Sequence, residues 1–163
     1  MESLIELSRL PWIEIKVAGD GDDELVDKIV SSGNIKYLGY LSHDQIMSET
    51  KKSHFVFALY DPVRVINRYA APNKVAEALS CGRPVIINSE VVISENIQGN
   101  DCGLVMTYGD VPAIAEGLEK LRKSPEDYQL LCQNARGLFE REYAWNIAKE
   151  KSIEVYDMAL HSK

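Results

Sequence analysis

The sequence predicts one α/β domain over residues 1–163, in which a parallel sheet of about five strands is covered by helices in three layers. Two observations carry this prediction. Short apolar runs alternate with amphipathic segments along the whole chain, as in repeated strand and helix units. One apolar run, at residues 55–59, is continuous, which is typical of a parallel strand covered on both faces. A chain of 163 residues is long enough to bury roughly two-thirds of its unfolded surface without a disulfide or a metal.

The first half of the chain predicts three helices and three strands in alternation. Pro11 ends the first helix, and the Asp20–Asp23 turn suits the start of the second, because its aspartates cap free N–H groups. Ser42 is the expected cap of the third helix. The predicted elements are helix 2–10, strand 13–19, helix 24–32, strand 35–39, helix 43–52 and strand 54–60, with strand 54–60 expected to be the most buried.

The segment 71–87 contains a helix start, a helix stop and a strand in direct succession. Pro72 suits the first helical position, where its missing N–H is not needed, and Gly82 suits the left-handed position after the helix end. At 100° per residue the stripe of Val75, Ala78 and Leu79 lies opposite Glu77. Glu77 is therefore expected to point away from the core, and strand 84–87 follows.

The rest of the chain predicts one more strand and four helices. Asp110 followed by Pro112 marks a helix start, and later apolar residues recur at helical spacing. The elements are a short helix within 89–98, strand 102–107, helix 110–123, helix 125–141 and helix 145–160. With the first half, these elements describe a Rossmann-like body.

A long loop, residues 61–71, separates strand 54–60 from the helix at Pro72 and has no clear period. Strand-to-helix loops usually have roughly 2–6 residues, so its length invites a functional explanation. It follows the carboxyl end of a strand, where open α/β sheets bind their ligands. Arg64, Arg68 and Lys74 add three cations within eleven residues, although solubility alone would also explain exposed arginines.

Charge and cysteine content exclude several classes of function. The net charge of −7 argues against nonspecific binding of nucleic acid or anionic lipid by the domain as a whole, so any anion site must be local. Three cysteines without metal-like spacing favour a reduced, cytoplasmic setting. The apolar runs are too short to insert into a membrane, and the histidines at 43, 54 and 161 are too scattered to predict a metal site.

Five segments, in the same order and spacing, resemble the donor-binding C-terminal half of retaining family 4 glycosyltransferases with the GT-B fold. The resemblance covers nearly the whole chain. The segments are 15–21, a strand that ends in a Gly-x-Gly turn; 35–41; 74–86; 101–110; and 143–145, an aromatic pair before the last helix.

The resemblance implies a site for a nucleotide-diphosphate sugar. It makes Glu77 the second acid of a Glu-x7-Glu motif, which hydrogen-bonds the donor ribose, and an ionised carboxylate suits two hydroxyl donors. The alternative is that Glu77 is a solvated acid that only pairs with Lys74 in its own helix. The turn and base contacts would come from Gly19, Gly21, Gly39 and Tyr40.

The donor diphosphate is expected at the helix N-terminus, where the N–H groups of Asn73 and Lys74 face outward and the helix dipole favours an anion. The side chains of Arg64 and Arg68 are further candidates for this phosphate site. Eight positions before Glu77 the chain has Tyr69 instead of the motif's first acid. Asp61 and Tyr69 are therefore the candidates for sugar contacts, and no residue is assigned as catalytic.

We expect a glycosyltransferase donor domain, with the donor as substrate and with no cofactor. The acceptor-binding domain, and the first strand of this domain, would come from a partner chain or a missing segment. In the family's strand order that strand is central, so a rearranged sheet is the other possibility. The alternatives are a non-catalytic binding or assembly module that keeps the fold, and a related sugar-nucleotide enzyme such as an epimerase, for which the catalytic acids and histidines are not found.

Overall fold

The computed structural model describes residues 2–21, 23–32 and 34–161, which contain nine α-helices and five strands. The helices are α1 Glu2–Leu7, α2 Asp23–Ser31, α3 His43–Lys52, α4 Val65–Arg68, α5 Asn73–Ser80, α6 Ser94–Gly99, α7 Val111–Lys123, α8 Pro125–Leu138 and α9 Trp145–His161. The strands are β1 Ile15–Val17, β2 Ile35–Tyr37, β3 Val56–Ala58, β4 Val85–Asn88 and β5 Gly103–Met106.

The paired strands run parallel in each case, which confirms the predicted α/β class, but the five strands form two sheets and not one. β1 pairs with β2, and Ile15 lies opposite Ile35. The second sheet has the order β3, β4, β5, with Val85 between Val56 and Gly103. Within the described residues no ladder joins the two sheets, so β1 and β3 each pair along one edge only.

Helices cover both faces of β4, and alternate residues of this strand enter different parts of the core. Val85 and Ile87 pack in a cluster with residues of α5, α6 and α8. Ile86 packs in the opposite cluster, which contains residues of β1, β2, α1, α2 and α7. The three layers follow directly from this alternation, because successive side chains of a strand point to opposite faces.

The most buried strand is β4, so the expectation that strand 54–60 would be the most buried is wrong. All four residues of β4 are buried, whereas Val56 and Phe57 of β3 are only partly covered. The physical reason is pairing: β4 has a neighbour on each side, and β3 has one neighbour. A continuous apolar run predicts the type of strand but not how many neighbours it has.

Local helix signals are accurate where side chains cap the backbone. Ser42 and Gln45 form a reciprocal capping box at the start of α3, and the Asp110 side chain accepts a bond from the Ala113 N–H at 3.0 Å. Pro72 is the N-cap of α5 and not its first residue, one position from the prediction.

Two segments differ from the elements predicted for them. The 61–71 loop contains the short helix α4, although the sequence shows no period there. The helix predicted over 125–141 changes after Leu138 into a π-helical turn at Phe139–Tyr143. In the described part of the chain, no helix combines the length and the apolar character needed to cross a membrane.

Candidate functional site

Two glycine turns meet at the carboxyl ends of β1 and β2. The N–H of Gly19 donates to the carbonyl of Gly39 at 2.9 Å, and the hydroxyl of Tyr37 donates to the Gly19 carbonyl at 2.7 Å. Gly19 and Gly39 have φ angles of +131° and +66°, which residues other than glycine rarely adopt. The structure thus brings Gly19 and Gly39 together. Gly21 follows Gly19 by two residues, and Tyr40, which follows Gly39, is exposed.

Glu77 points away from the core, as its helical position predicts. Val75, Ala78 and Leu79 are fully buried, while 30 % of the Glu77 side chain is exposed. His43 lies beside Glu77: its Nδ1 is 3.7 Å from Oε1, a contact that is an ion pair only when the imidazole is protonated. His43 is the first residue of α3, so the N-terminus of α3 lies against the outer face of α5 at this carboxylate.

The N-terminus of α5 is open to solvent. Asn73 and Lys74 are exposed, and the first turn is closed by the Val75 N–H, which donates to the Pro72 carbonyl at 3.0 Å. The N–H groups at the start of a helix lack intrahelical acceptors, and they carry the positive end of the helix dipole. The Lys74 ammonium lies 5.6 Å from the centre of the Tyr60 ring, a cation–π contact that keeps it near this N-terminus.

The 61–71 loop is ordered, and several of its polar side chains form hydrogen bonds with the loop's own backbone. One carboxylate oxygen of Asp61 accepts a bond from the Val63 N–H at 3.0 Å, and the Asp61 carbonyl accepts from the Asn67 amide at 2.9 Å. The Arg68 Nε donates to the Pro62 carbonyl at 3.0 Å. Arg64 and Tyr69 flank α4 and are exposed.

A polar network that is not predicted from the sequence joins the carboxyl ends of β3, β4 and β5. The side chain of Asn88, at the end of β4, is fully buried; it accepts a bond from the Tyr60 N–H at 2.8 Å and donates to Glu90 at 2.9 Å. Glu90 also accepts from the Tyr108 N–H at 3.1 Å. Burial raises the pKa of Glu90, but these hydrogen bonds outweigh burial and lower it overall. The signal in the sequence for this network is an asparagine at the end of an otherwise apolar strand.

His43 lies beside the candidate ribose acid, and nothing in the spacing of the histidines predicts this. Tertiary packing of α3 against α5 creates the contact, so no local pattern predicts it.

The candidate residues lie at the carboxyl ends of the strands, where Asn73, Lys74 and Tyr40 are exposed. A cavity of about 450 Å³ does exist, but it lies at the amino ends of β1 and β2. That is the opposite end of the strands from the glycine turns, Glu77 and the N-terminus of α5. Its lining is Leu10, Pro11, Ile13, Glu14, Asn34, Ile35 and Lys36, none of them a candidate donor contact.

Solved structures of longer proteins share this fold at low sequence identity. Sucrose-phosphate synthase from Thermosynechococcus elongatus superposes with a TM-score of 0.79 at 15 % identity, over 99 % of this chain and 42 % of that one. Anabaena HepE, in complex with UDP and glucose, gives 0.78 at 15 % identity, over 96 % of this chain and 44 % of that one. A glycosyltransferase from Rickettsia africae gives 0.77 at 17 % identity, over 99 % and 45 %.

These likenesses establish the fold, which is the Rossmann-like domain of GT-B glycosyltransferases. The chain spans less than half the length of each of these proteins. No curated protein sequence matches it. The sequence profile described as "Glycosyl transferases group 1" matches residues 3–124, which is most of the chain. With this match, the resemblance to a GT-B glycosyltransferase domain is confirmed: the chain belongs to the group 1 glycosyl transferases.

Proposed function

We propose that this chain is the donor-binding part of a glycosyltransferase and holds a nucleotide-diphosphate sugar for retaining transfer to an acceptor. The observation that carries the proposal is that Glu77 lies beside the N-terminus of α3, and that the exposed N-terminus of its own helix, α5, is one turn away. A carboxylate beside a helix N-terminus suits a ligand that has ribose hydroxyls next to a diphosphate.

The proposed roles are those that the family resemblance implies, and this arrangement supports them. Glu77 would accept the ribose hydroxyls, and the N–H groups and side chains of Asn73 and Lys74 would receive the diphosphate. Gly19, Gly21, Gly39 and Tyr40 would contact the base, since both glycine turns lie at the carboxyl ends of β1 and β2. A nucleotide held in this way is positioned, and the charge that develops on the leaving diphosphate is stabilised.

The loop contributes less directly in this proposal. Arg64 is exposed and available to the diphosphate, whereas Arg68 already donates to the Pro62 carbonyl through its Nε. Asp61 caps its own turn, so Tyr69, exposed at the end of α4, is the better candidate for a sugar contact. Family 4 membership in particular is part of the proposal.

The test is calorimetric titration with UDP and UDP-glucose, the ligands in the HepE complexes. Glu77→Ala should weaken UDP binding by about tenfold or more, because it removes a charged acceptor. Glu116→Ala, at an exposed acid of α7, is the matched control. Absence of UDP binding by both this chain and a form joined to an acceptor domain would overturn the proposal. Retention would be read from the anomeric configuration of the product.

We also propose that a further strand, from a partner or from another segment, pairs between β1 and β3. Ile15 of β1 shares a hydrophobic cluster with Phe57 of β3, although no ladder joins the two strands. α3 has no fully buried residue, which fits a helix that lies over an unfilled position. Amide exchange at β1 and β3 should slow in a form that contains the added strand, and unchanged exchange would contradict this expectation.

The second candidate is a non-catalytic module that keeps the fold for binding or assembly. The observation in its favour is Tyr69 at the position of the first acid, combined with the use of Asp61 by its own turn. This candidate predicts that Glu77→Ala leaves the cellular role intact. For either candidate a cytoplasmic setting is proposed, and the free state of Cys81, Cys102 and Cys132 supports it.

A further inference from the structure

Glu90 lies at the carboxyl edge of the strands, in the turn after β4, and the proposed function gives it no role. It is partly buried. The side-chain amide of Asn88 donates to Glu90 at 2.9 Å, and the amide oxygen accepts from the Tyr60 N–H at 2.8 Å. Tyr60 is the residue before the 61–71 loop, so the Glu90 carboxylate lies close to the start of that loop.

The segment that contains Glu90 also lies against the other end of the loop. The Val92 N–H donates to the Arg68 carbonyl at 2.8 Å. Arg68 is the last residue of α4, and the next residue is Tyr69, which occupies the position of the motif's first acid. Glu90 is two residues from this contact. The structure therefore brings an acid close to the position at which the sequence lacks one.

Hydrogen bonds hold Glu90 as an ion in one orientation. Burial raises its pKa, but bonds from Asn88 and from the Tyr108 N–H lower it overall. The Tyr108 N–H lies 3.1 and 3.2 Å from the two carboxylate oxygens, so it is shared between them. These donors belong to the end of β4 and to the turn after β5. An acceptor that is fixed in this way loses little conformational entropy when a hydroxyl binds to it.

The Glu90 carboxylate can receive a hydroxyl from a ligand. An ionised carboxylate has about four acceptor positions. Besides Asn88 and Tyr108, its own N–H and the Ser89 hydroxyl face it. Ser89 is exposed, and a serine hydroxyl rotates freely, so water can receive that hydroxyl instead. A sugar hydroxyl can then take the place of the Ser89 hydroxyl without leaving a buried donor unpaired.

We propose that Glu90 accepts a hydrogen bond from a hydroxyl of the transferred sugar and so supplies the carboxylate that position 69 lacks. The inference rests on the proposed donor function. It adds a carboxylate for the sugar to the one that Glu77 would offer to the ribose. A site built to bind a hydroxyl rejects analogues that cannot supply it, so Glu90 would help to determine which sugar is accepted.

The experiment is calorimetric titration of the chain with UDP, UDP-glucose, UDP-galactose and UDP-N-acetylglucosamine. The quantity compared is the dissociation constant of each UDP-sugar divided by that of UDP. Glu90→Gln should raise this ratio by about tenfold for at least one UDP-sugar, because it removes a charged acceptor. Its affinity for UDP should stay at the wild-type value, since UDP has no transferred sugar. Glu116→Gln, at an exposed acid of α7, is the control and should change neither quantity.

A second variant separates a sugar contact from a structural role. Tyr69→Glu in the Glu90→Gln background returns a carboxylate to the motif's position, so the ratio should fall back toward the wild-type value. A structural Glu90 predicts a parallel loss of UDP and UDP-sugar affinity with no recovery in the double variant, and this outcome would overturn the inference.

Unchanged ratios for all three sugars in Glu90→Gln, with UDP binding intact, would also overturn the sugar contact while leaving donor binding in place. Absence of UDP binding by the wild type, alone or joined to an acceptor domain, would overturn the proposed function and this inference with it. The two failures are thus distinguished by whether the wild type binds UDP.

Discussion

The buried amide of Asn88 accepts a hydrogen bond from the backbone N–H of Tyr60 at 2.8 Å and so joins the carboxyl ends of β4 and β3. The same side chain donates to Glu90, which in turn accepts from the Tyr108 N–H. Three segments at the candidate edge are thus connected through two side chains, those of Asn88 and Glu90. Lys74 lies over the Tyr60 ring, so this network also supports the start of α5.

Asn88→Ala should destabilise the fold by about 1–3 kcal/mol, because it leaves the Tyr60 N–H without its buried acceptor. Urea unfolding measures the change. Asn146→Ala, at an exposed asparagine of α9, is the control and should have little effect. Equal stability of the two variants would show that the Asn88 bonds contribute nothing net.

Gly103→Ala should be strongly destabilising. A Cβ at Gly103 would lie 2.1 Å from the Val85 carbonyl oxygen, so β4 and β5 would have to separate. The expected cost is about 1–3 kcal/mol or more. Gly99→Ala is the matched control, since an added Cβ there meets nothing within 4 Å, and its effect should stay within about 0.5 kcal/mol. Thermal unfolding of both variants tests the prediction, and similar melting temperatures would contradict it.

The elements that could be predicted from the sequence are those with local determinants. α3 has the predicted bounds, and its start is local because Ser42 and Gln45 cap each other within one turn. The outward position of Glu77 follows from helical periodicity alone. Family membership could be predicted from the sequence for a related reason: the motifs are short segments that occur in a fixed order.

The features that could not be predicted depend on contacts between distant segments. Whether five strands form one sheet or two depends on which strands pair with each other, and the apolar pattern of a strand does not specify its neighbour. The contacts of Glu77 with His43 and of Asn88 with Tyr60 likewise exist only once α3, α5, β3 and β4 are packed. The order of the 61–71 loop is an exception, because the bonds made by Asp61 and Arg68 are local: their partners are an N–H and a carbonyl of the loop itself, in a segment without a regular sequence period.

Glu49 should make the stability of the fold depend on acid pH. Hydrogen bonds from Lys52 at 2.7 Å and Lys16 at 3.0 Å lower the pKa of Glu49 to about 2 in the folded chain. An unfolded glutamate has a pKa of about 4.3, so the contribution is complete above that pH and is lost as the pH falls toward the folded value.

In Glu49→Gln, stability should therefore fall less steeply than in the wild type as the pH decreases from about 4.5 to 2. Urea unfolding at a series of pH values gives both slopes. Glu116→Gln serves as the control and should follow the wild-type curve. A Glu49→Gln slope equal to that of the wild type would mean that the link between α3 and β1 does not contribute.

Cys102 should react with thiol reagents only after unfolding. Burial raises its pKa to about 11, and its Sγ lies 3.5 Å from the Ile97 carbonyl, to which it donates. In a Cys81→Ser/Cys132→Ser background, labelling by a disulfide reagent should be roughly a hundredfold slower in the native protein than in urea. The Cys102→Ser variant keeps the two half-buried thiols and should label faster in the native state. Fast native labelling of Cys102 would contradict its burial.

His43→Ala should weaken the proposed UDP binding, because the imidazole at 3.7 Å helps to orient the Glu77 carboxylate. The His43 side chain is largely exposed, so the loss should be at most about fivefold. The control is His54→Ala, at an exposed histidine that packs against Tyr128 before the amino end of β3. If His43 acts through Glu77, the variant His43→Ala/Glu77→Ala should bind UDP no more weakly than Glu77→Ala. A full additional loss in the double variant would mean that His43 contacts the nucleotide independently of Glu77.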